Sequence, residues 1–421
     1  MSHKMPPLRV AYILLYFPRL TETFVADEIG ALQAQNIQVE IISLLPPQDD
    51  FVQPLSQTLL QFTWNAPALW RWQLWKAQFY FIFHAPLLYF SLWFTLINQP
   101  SPKQPLVSFF KRFVVFLKAV SAAYHLKETN VDLLHAHFAW LPGAAAWVCA
   151  RLLKKPFTVT VHAYDLFSYK NDLLPLISRE ADHIVAISQF NSLLVAAVRG
   201  CPPEKISVIH CGVDLAQFAP KPRLGAEPPH QTPLLKILSV GSLVAKKGHS
   251  DLIAACQLLS QSGIQYTCSI IGGGPEEPIL RAQIAALGLQ SRVKLLGARP
   301  QPEIRMTCNQ YDLFVLAARV TPEGDMDGIP VVLMEAAAAG LPLVSTFVSG
   351  IPELVQHQQT GFLVQPNDPS ALANAILALA ADPSQRARLG QNARDLVEAQ
   401  FSLQKSSLQL LALFYKVCRA S

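Results

Sequence analysis

The fold class this sequence predicts is α/β, with two Rossmann-like domains facing each other across a cleft. Three observations predict it. Short apolar runs of strand type alternate with helical patterns. The alternation stops at a proline-rich stretch, Ala219-Pro-Lys-Pro-Arg-Leu-Gly-Ala-Glu-Pro-Pro-His-Gln-Thr-Pro233, which cannot continue regular structure. It then restarts, and 421 residues suit two cores of roughly 200 residues better than one.

Taken in order, the first series predicts strands at Arg9–Leu15, Gln38–Leu44, Asp132–Ala136, Phe157–Val161, His183–Ile187 and Lys205–Ile209. The second predicts them at Lys236–Val240, Tyr266–Ile271, Arg292–Leu296, Asp312–Leu316 and Leu343–Thr346. These runs are nearly continuous in apolar residues, as parallel strands covered on both faces require. The expected organisation is a first domain over 1–218, a linker over 219–233, a second domain over 234–400, and a helix over 401–421 able to pack back on the first domain. In such sheets ligands sit beyond the C-terminal ends of the strands.

Half of the residues (51%) are hydrophobic and only 15% charged, against about 25% charged in an average soluble protein. A net charge of +5 gives no reason to expect nucleic acid. The basic residues are unevenly placed: residues 51–127 carry seven Lys or Arg, no Asp or Glu, and five of the seven Trp. Cations interleaved with aromatic rings suit an anionic membrane surface. Phe79 to Ile97 has the length of a span but contains His84 and Pro86, and the return candidate Leu106 to Tyr124 carries Lys111, Arg112 and Lys118. The expectation is therefore a cytoplasmic protein held peripherally on the inner face of the plasma membrane. The short Val10–Phe17 run reads as a first strand, not a signal peptide. Seven scattered cysteines with no Cys-x-x-Cys pair read as reduced packing residues.

The loops after strands carry the chemistry. Gly241-Ser242-Leu-Val-Ala-Lys246-Lys247-Gly248 combines close backbone approach with ammonium groups, which suit a diphosphate leaving group. Gly272-Gly273-Gly274 ends the next strand and allows a ligand or a neighbouring loop near. Asp327-Gly328-Ile329-Pro330-Val331 runs into a helix carrying Glu335, with Pro330 placed at a first helical position and free N–H groups facing a phosphate. Both carboxylates are placed to reach hydroxyl groups. Asp325-Met-Asp327 alone is an incomplete metal shell, so no metal and no cofactor are expected. His162 ends the fourth predicted strand, with Asp165 orienting its loop. His135 and His137 share one strand face, with no third ligand apparent from the sequence.

Together these residues resemble the retaining nucleotide-sugar glycosyltransferases of the GT-B architecture, and within them family four. The resemblance rests on Asp327…Glu335 with Ala336–Gly340, Ser349-Gly-Ile-Pro-Glu353, Gly361-Phe-Leu-Val, the Gly241…Gly248 loop and His162-Ala-Tyr-Asp165. Phe17-Pro-Arg-Leu-Thr21-Glu22-Thr-Phe24, with Asp327 for the first Glu of the Glu-x7-Glu motif, is similar to the branch that builds exopolysaccharides such as colanic acid. It implies donor phosphates on Lys247, ribose on Glu335, the donor sugar on Asp327 and His162, and acceptor contacts near Thr21 and Glu22. The acceptor would be a lipid-linked oligosaccharide. One departure is Ser242 where the family commonly has Arg, leaving Lys246 or Arg319 as substitutes. Another is the shortened acid, for which Glu323 in a shifted register is an alternative. A non-catalytic nucleotide-sugar-binding subunit, or an epimerase or phosphorylase on the same fold, is the rival expectation.

Overall fold

The computed structural model describes residues 7–19, 22–47, 54–101, 105–167, 171–198, 200–218 and 234–420. Thr21 and the linker 219–233 lie outside them. The chain divides into two compact units, one of Met1–Gly212 with Leu403–Ser421 and the other of Val213–Ser402.

The first unit contains seven strands: β1 (Arg9–Tyr16), β2 (Gln38–Leu45), β3 (Thr63–Asn65), β4 (Leu133–His137), β5 (Phe157–Val161), β6 (His183–Ala186) and β7 (Ile206–Val208). They form one sheet in the order β3-β2-β1-β4-β5-β6-β7, with every pair parallel. The second unit contains β8 (Leu235–Val240), β9 (Tyr266–Ile271), β10 (Val293–Leu295), β11 (Leu313–Val315), β12 (Leu343–Thr346) and β13 (Gly361–Val364). Their order is β10-β9-β8-β11-β12-β13, again all parallel. In each sheet the chain winds outward from its first strand, then returns to that strand's other side. The crevice this leaves beyond the strand ends, at β1/β4 and at β8/β11, is where such sheets take ligands.

Central β4 and β5 are buried at every position, while edge strands β3 and β7 are half-exposed. That explains the misses of the sequence reading: three-residue β3 and four-residue β13 are too short or too weakly covered to give an apolar run. The helix Leu403–Ala420 belongs to the first unit, where Leu410, Leu413 and Phe414 pack with Ile29 and Leu32 of the helix Thr23–Ala34. Gln35 Nε2 donates to Ser407 Oγ at 2.7 Å across the same contact. All seven cysteines are unpaired thiols.

Residues 54–127 build a helical layer on the first sheet, from Trp72–His84, Pro86–Ile97 and Pro105–Leu126. Their inner faces supply Leu74, Phe81, Tyr89, Leu92 and Phe116 to the core. Among the described residues no single helix is long and apolar enough to cross a membrane. The first two helices pass that test only as a pair bent by 118°. The outer faces present Trp70, Trp72, Phe83, Leu87, Phe94 and Phe110 to solvent, with Leu87 88% exposed. Two cations that the sequence assigned to a membrane surface face inward instead. Arg112 is buried against Asp172 at 2.7 Å, and Lys118 donates to the carbonyls of Ala66 and Pro67. The helix Pro105–Leu126 simply turns these side chains toward the core, which a linear charge count does not reveal.

Candidate active site

In the second unit the loop after β8 lies against the end of β11. A turn of 3-10 helix, Ala245–Lys247, closes on Gly248, whose φ of +65° is left-handed. A Cβ there would stand 1.7 Å from the Ala317 carbonyl oxygen, so only glycine lets the turn seat on the segment following β11. Arg319 braces the same turn. Its N–H donates to Lys246 O at 2.9 Å and its Nε to Ala245 O at 2.7 Å, while its guanidinium stands 3.7 Å from Asp251. The glycines after β9 admit the neighbouring backbone: a Cβ on Gly272 would meet Gly241 O at 1.9 Å, and Leu243 N–H donates to Gly273 O.

This packing brings Lys246, Lys247 and Asp327 together. Lys247 Nζ stands 2.6 Å and Lys246 Nζ 3.5 Å from the Asp327 carboxylate, and Lys246 also reaches Asp325 at 3.2 Å. The stem of Lys247 lies along Gly241, within 3.3 Å of where a Cβ would sit. Burial alone would raise the Asp327 carboxyl, but the Lys247 and Lys246 charges hold it below its ordinary value. Glu323 is exposed, so the acid met by the lysines is Asp327. Of the two cations that could stand in for an Arg at Ser242, Arg319 is committed to the turn and Lys246 faces Asp325 and Asp327.

Gly328 and Ile329 are buried, and Pro330 caps the helix Val331–Ala338. The sequence reading placed Pro330 at the first helical position; with ψ of 127° it stands one residue outside. Pro330 O accepts from Leu333 N–H at 3.0 Å, and the N–H groups of Val331 and Val332, at the first two helical positions, have no partner within the helix. Glu335 is buried further in. It accepts from Gln301 Nε2 at 2.5 Å and faces Arg305 at 4.0 Å, both from the helix Gln301–Cys308. Sequence reasoning did not pick out Gln301 or Arg305, since that helix carries no motif of its own.

In the first unit His162 follows β5, and Asp165 Oδ2 accepts its backbone N–H at 2.8 Å. Burial raises the Asp165 carboxyl to about 7. Period-two alternation puts Tyr12, His135, His137, Thr158 and Thr160 on one face of adjacent strands, where Tyr12 pairs with His135 and His137 with Thr160. Glu28 of the helix Thr23–Ala34 reaches down onto that face. Its Oε1 lies 2.7 Å from Tyr12 OH and 3.0 Å from His137 Nε2, and His137 Nδ1 lies 3.0 Å from His162 Nε2. Glu28 is thus the third group that the spacing of His135 and His137 left unseen, from a helix more than a hundred residues earlier. Glu22 caps the same helix and pairs with Arg19 at 2.8 Å. A cavity of about 820 Å³ lies at the opposite, N-terminal ends of β1 to β3, lined by Arg9, Gln38, Trp64 and His125. It holds none of these residues.

Two parallel-sheet units, one with a lysine-bearing glycine turn beside an acidic helix entrance, define a glycosyltransferase of two Rossmann-like domains. Residues 21–217 match the family described as Glycosyltransferase Family 4, and residues 222–396 match Glycosyl transferases group 1. The chain is 31% identical to the putative colanic acid biosynthesis glycosyltransferase WcaL of Escherichia coli, over 96% of this chain and 99% of that one. It is 34% identical to the amylovoran biosynthesis glycosyltransferase AmsK of Erwinia amylovora, over 72% and 74%. Among solved structures it is similar to Anabaena HepE in complex with UDP and glucose, with a TM-score of 0.70, 18% identity and coverage of 97% and 99%. The chain belongs to this glycosyltransferase family, within the branch that includes the colanic acid and amylovoran proteins.

Proposed function

We propose that this enzyme transfers a sugar from a nucleoside diphosphate sugar to a lipid-linked saccharide, with retention of anomeric configuration and without a divalent metal, in building a bacterial exopolysaccharide. The observation that carries the reading is the pair of ammonium groups on one half-buried carboxylate beside a helix N-terminus. A departing diphosphate needs fixed positive charge and N–H groups, and Lys246, Lys247, Val331 and Val332 are placed to supply both. Asp325 and Asp327, the carboxylates that would hold a metal, already face those lysines, which favours lysine over metal as the counter-charge. HepE, similar in fold, is a complex with UDP and glucose. His162 meets the transferred sugar in this reading, and Glu335 the ribose.

Thermal-shift titration with uridine and guanosine diphosphate sugars tests it. At a hundredfold excess over Kd one of them is expected to stabilise the fold by about 2.7 kcal/mol. No shift with either, or a shift that requires added Mg²⁺ or Mn²⁺, counts against the reading. Release of nucleoside diphosphate only when acceptor saccharide is present separates transfer from the rival epimerase and phosphorylase.

The outer aromatic face of residues 70–110 supports peripheral attachment to the cytoplasmic leaflet. Of the described basic residues of 51–127, Arg71, Lys76 and Lys111 are exposed, and each adds about 1 kcal/mol near an anionic surface. Six exposed aromatic or Leu side chains outweigh them at roughly 1.5 to 3 kcal/mol each when buried. Vesicle sedimentation is therefore expected to persist in high salt and to be lost when Phe83, Leu87 and Phe94 are replaced by Ser. Release of the native chain by salt alone counts against attachment through these apolar side chains.

A further inference from the structure

Four side chains in the first unit form a hydrogen-bonded file: Tyr12, Glu28, His137 and His162. We propose that Glu28, acting through His137, fixes His162 in the tautomer whose bare Nδ1 accepts a hydrogen bond from a hydroxyl of the transferred sugar. The substrate half of this statement rests on the proposed function; the tautomer half rests on the geometry.

The argument is proton bookkeeping. Glu28 would be raised by burial, yet its contacts with His137, His135 and Tyr12 together hold it below its ordinary value, so it is a carboxylate near neutral pH. A carboxylate only accepts. Tyr12 OH donates to Oε1 at 2.7 Å, and the proton between Oε1 and His137 Nε2, 3.0 Å apart, must therefore lie on the nitrogen. With a single ring proton, held on Nε2, His137 has a bare Nδ1. The atom facing it at 3.0 Å, His162 Nε2, must carry the next proton and donate it. Burial keeps His162 neutral, so its single proton is already placed. Nδ1 is left without a proton, and among the described residues it has no partner. Asp165 holds the residue by its backbone and Phe138 and Phe24 hold the ring, with centroids at 4.6 and 4.9 Å.

His135 stands beside this file, not in it. Its Nδ1 and Nε2 are bonded to the hydroxyls of Thr158 and Thr160 at 2.7 and 3.1 Å. Glu28, His135 and His137 have ligand atoms within 4.8 Å of one another, the spacing of a metal site. Every ring nitrogen there has a protein partner without an ion, so the hydrogen-bonded arrangement accounts for all of them.

Long-range ¹H–¹⁵N spectra of the full chain labelled at histidine read the tautomer directly, with the His162 signals assigned by their loss in His162→Asn. Native His162 is expected to show a protonated Nε2 and a pyridine-type Nδ1. Glu28→Gln, nearly isosteric, and His137→Phe are each expected to turn His162 into a tautomer mixture. Both are expected to lower kcat/KM by about 10- to 100-fold, the loss seen when the orienting partner of a metal-bound histidine is removed. Their affinity for free nucleoside diphosphate should not change while that for the sugar-bearing donor falls, a split that general loosening of the fold does not produce. Nδ1 protonated in the native chain, a tautomer unmoved in both variants, or one equivalent of Zn²⁺ shifting the His135 and His137 signals would each overturn the proposal. Correct tautomers in a chain that binds no nucleotide sugar would instead overturn the substrate, leaving the hydrogen-bonded file in place.

Discussion

Lys247→Ala is expected to lower kcat/KM for sugar transfer by about 100- to 1000-fold, the loss typical when one group facing developing negative charge is removed. Lys247 Nζ is the cation closest to Asp327, and the turn that carries it is locked against β11 by Gly248 and Arg319. Mobile surface lysines are worth little, whereas a charge fixed in place costs no reorganisation as the diphosphate leaves. The fold should survive, since Lys246 remains 3.5 Å from Asp327. Stability gives an internal control. Asp327 is held below its ordinary carboxylate value, so its ion pairs stabilise the chain above the unfolded carboxylate pKa, and that contribution disappears as pH falls through the folded value. Native and variant proteins should therefore differ in stability at neutral pH and converge in acid. Full transfer activity in a folded Lys247→Ala protein, or a stability gap that stays constant into acid, contradicts this account of the site.

The parts of this site that were legible in the sequence are those carried by short contiguous segments. A glycine turn with two lysines directly after an apolar run, and an acid followed by a proline-capped helix, each state their own geometry, because one strand end and one helix start fix them. The parts that were not legible depend on which side chains a helix aims inward. Glu28 is one carboxylate on an unremarked helix until packing sets it over His137. Gln301 and Arg305 meet Glu335 only because their helix comes up beside the one that carries it. Arg112 and Lys118 counted as surface charge in the linear sequence, yet the register of one long helix buries both. Strands β3 and β13 escaped notice for the related reason that three or four residues at a sheet edge carry too little apolar signal to register.

Gly248→Ala is expected to be the most destabilising single-methyl change in the second unit's loops. Two costs combine. A left-handed φ of +65° is unfavourable for alanine by about 1 to 2 kcal/mol. The added Cβ would also lie 1.7 Å from Ala317 O and 2.7 Å from Ala317 C, backbone atoms that cannot rotate away. The turn must lift off the end of β11, breaking the bonds from Arg319 to Lys246 O and Ala245 O and displacing both lysines. A total of about 3 to 5 kcal/mol is reasonable for a strained position with a core clash, lowering the second unit's Tm by roughly 10 °C. Transfer should fall at least as far as in Lys247→Ala, because the whole turn moves. Gly263→Ala separates the two costs: its φ of +83° is equally left-handed, but no atom lies within 4 Å of the added methyl. It should cost only the conformational part, about 1 to 2 kcal/mol, and leave transfer unchanged. If the two variants prove equally stable, backbone conformation alone explains Gly248, and the close seating of the lysine turn on β11 is not what holds Lys247 in place.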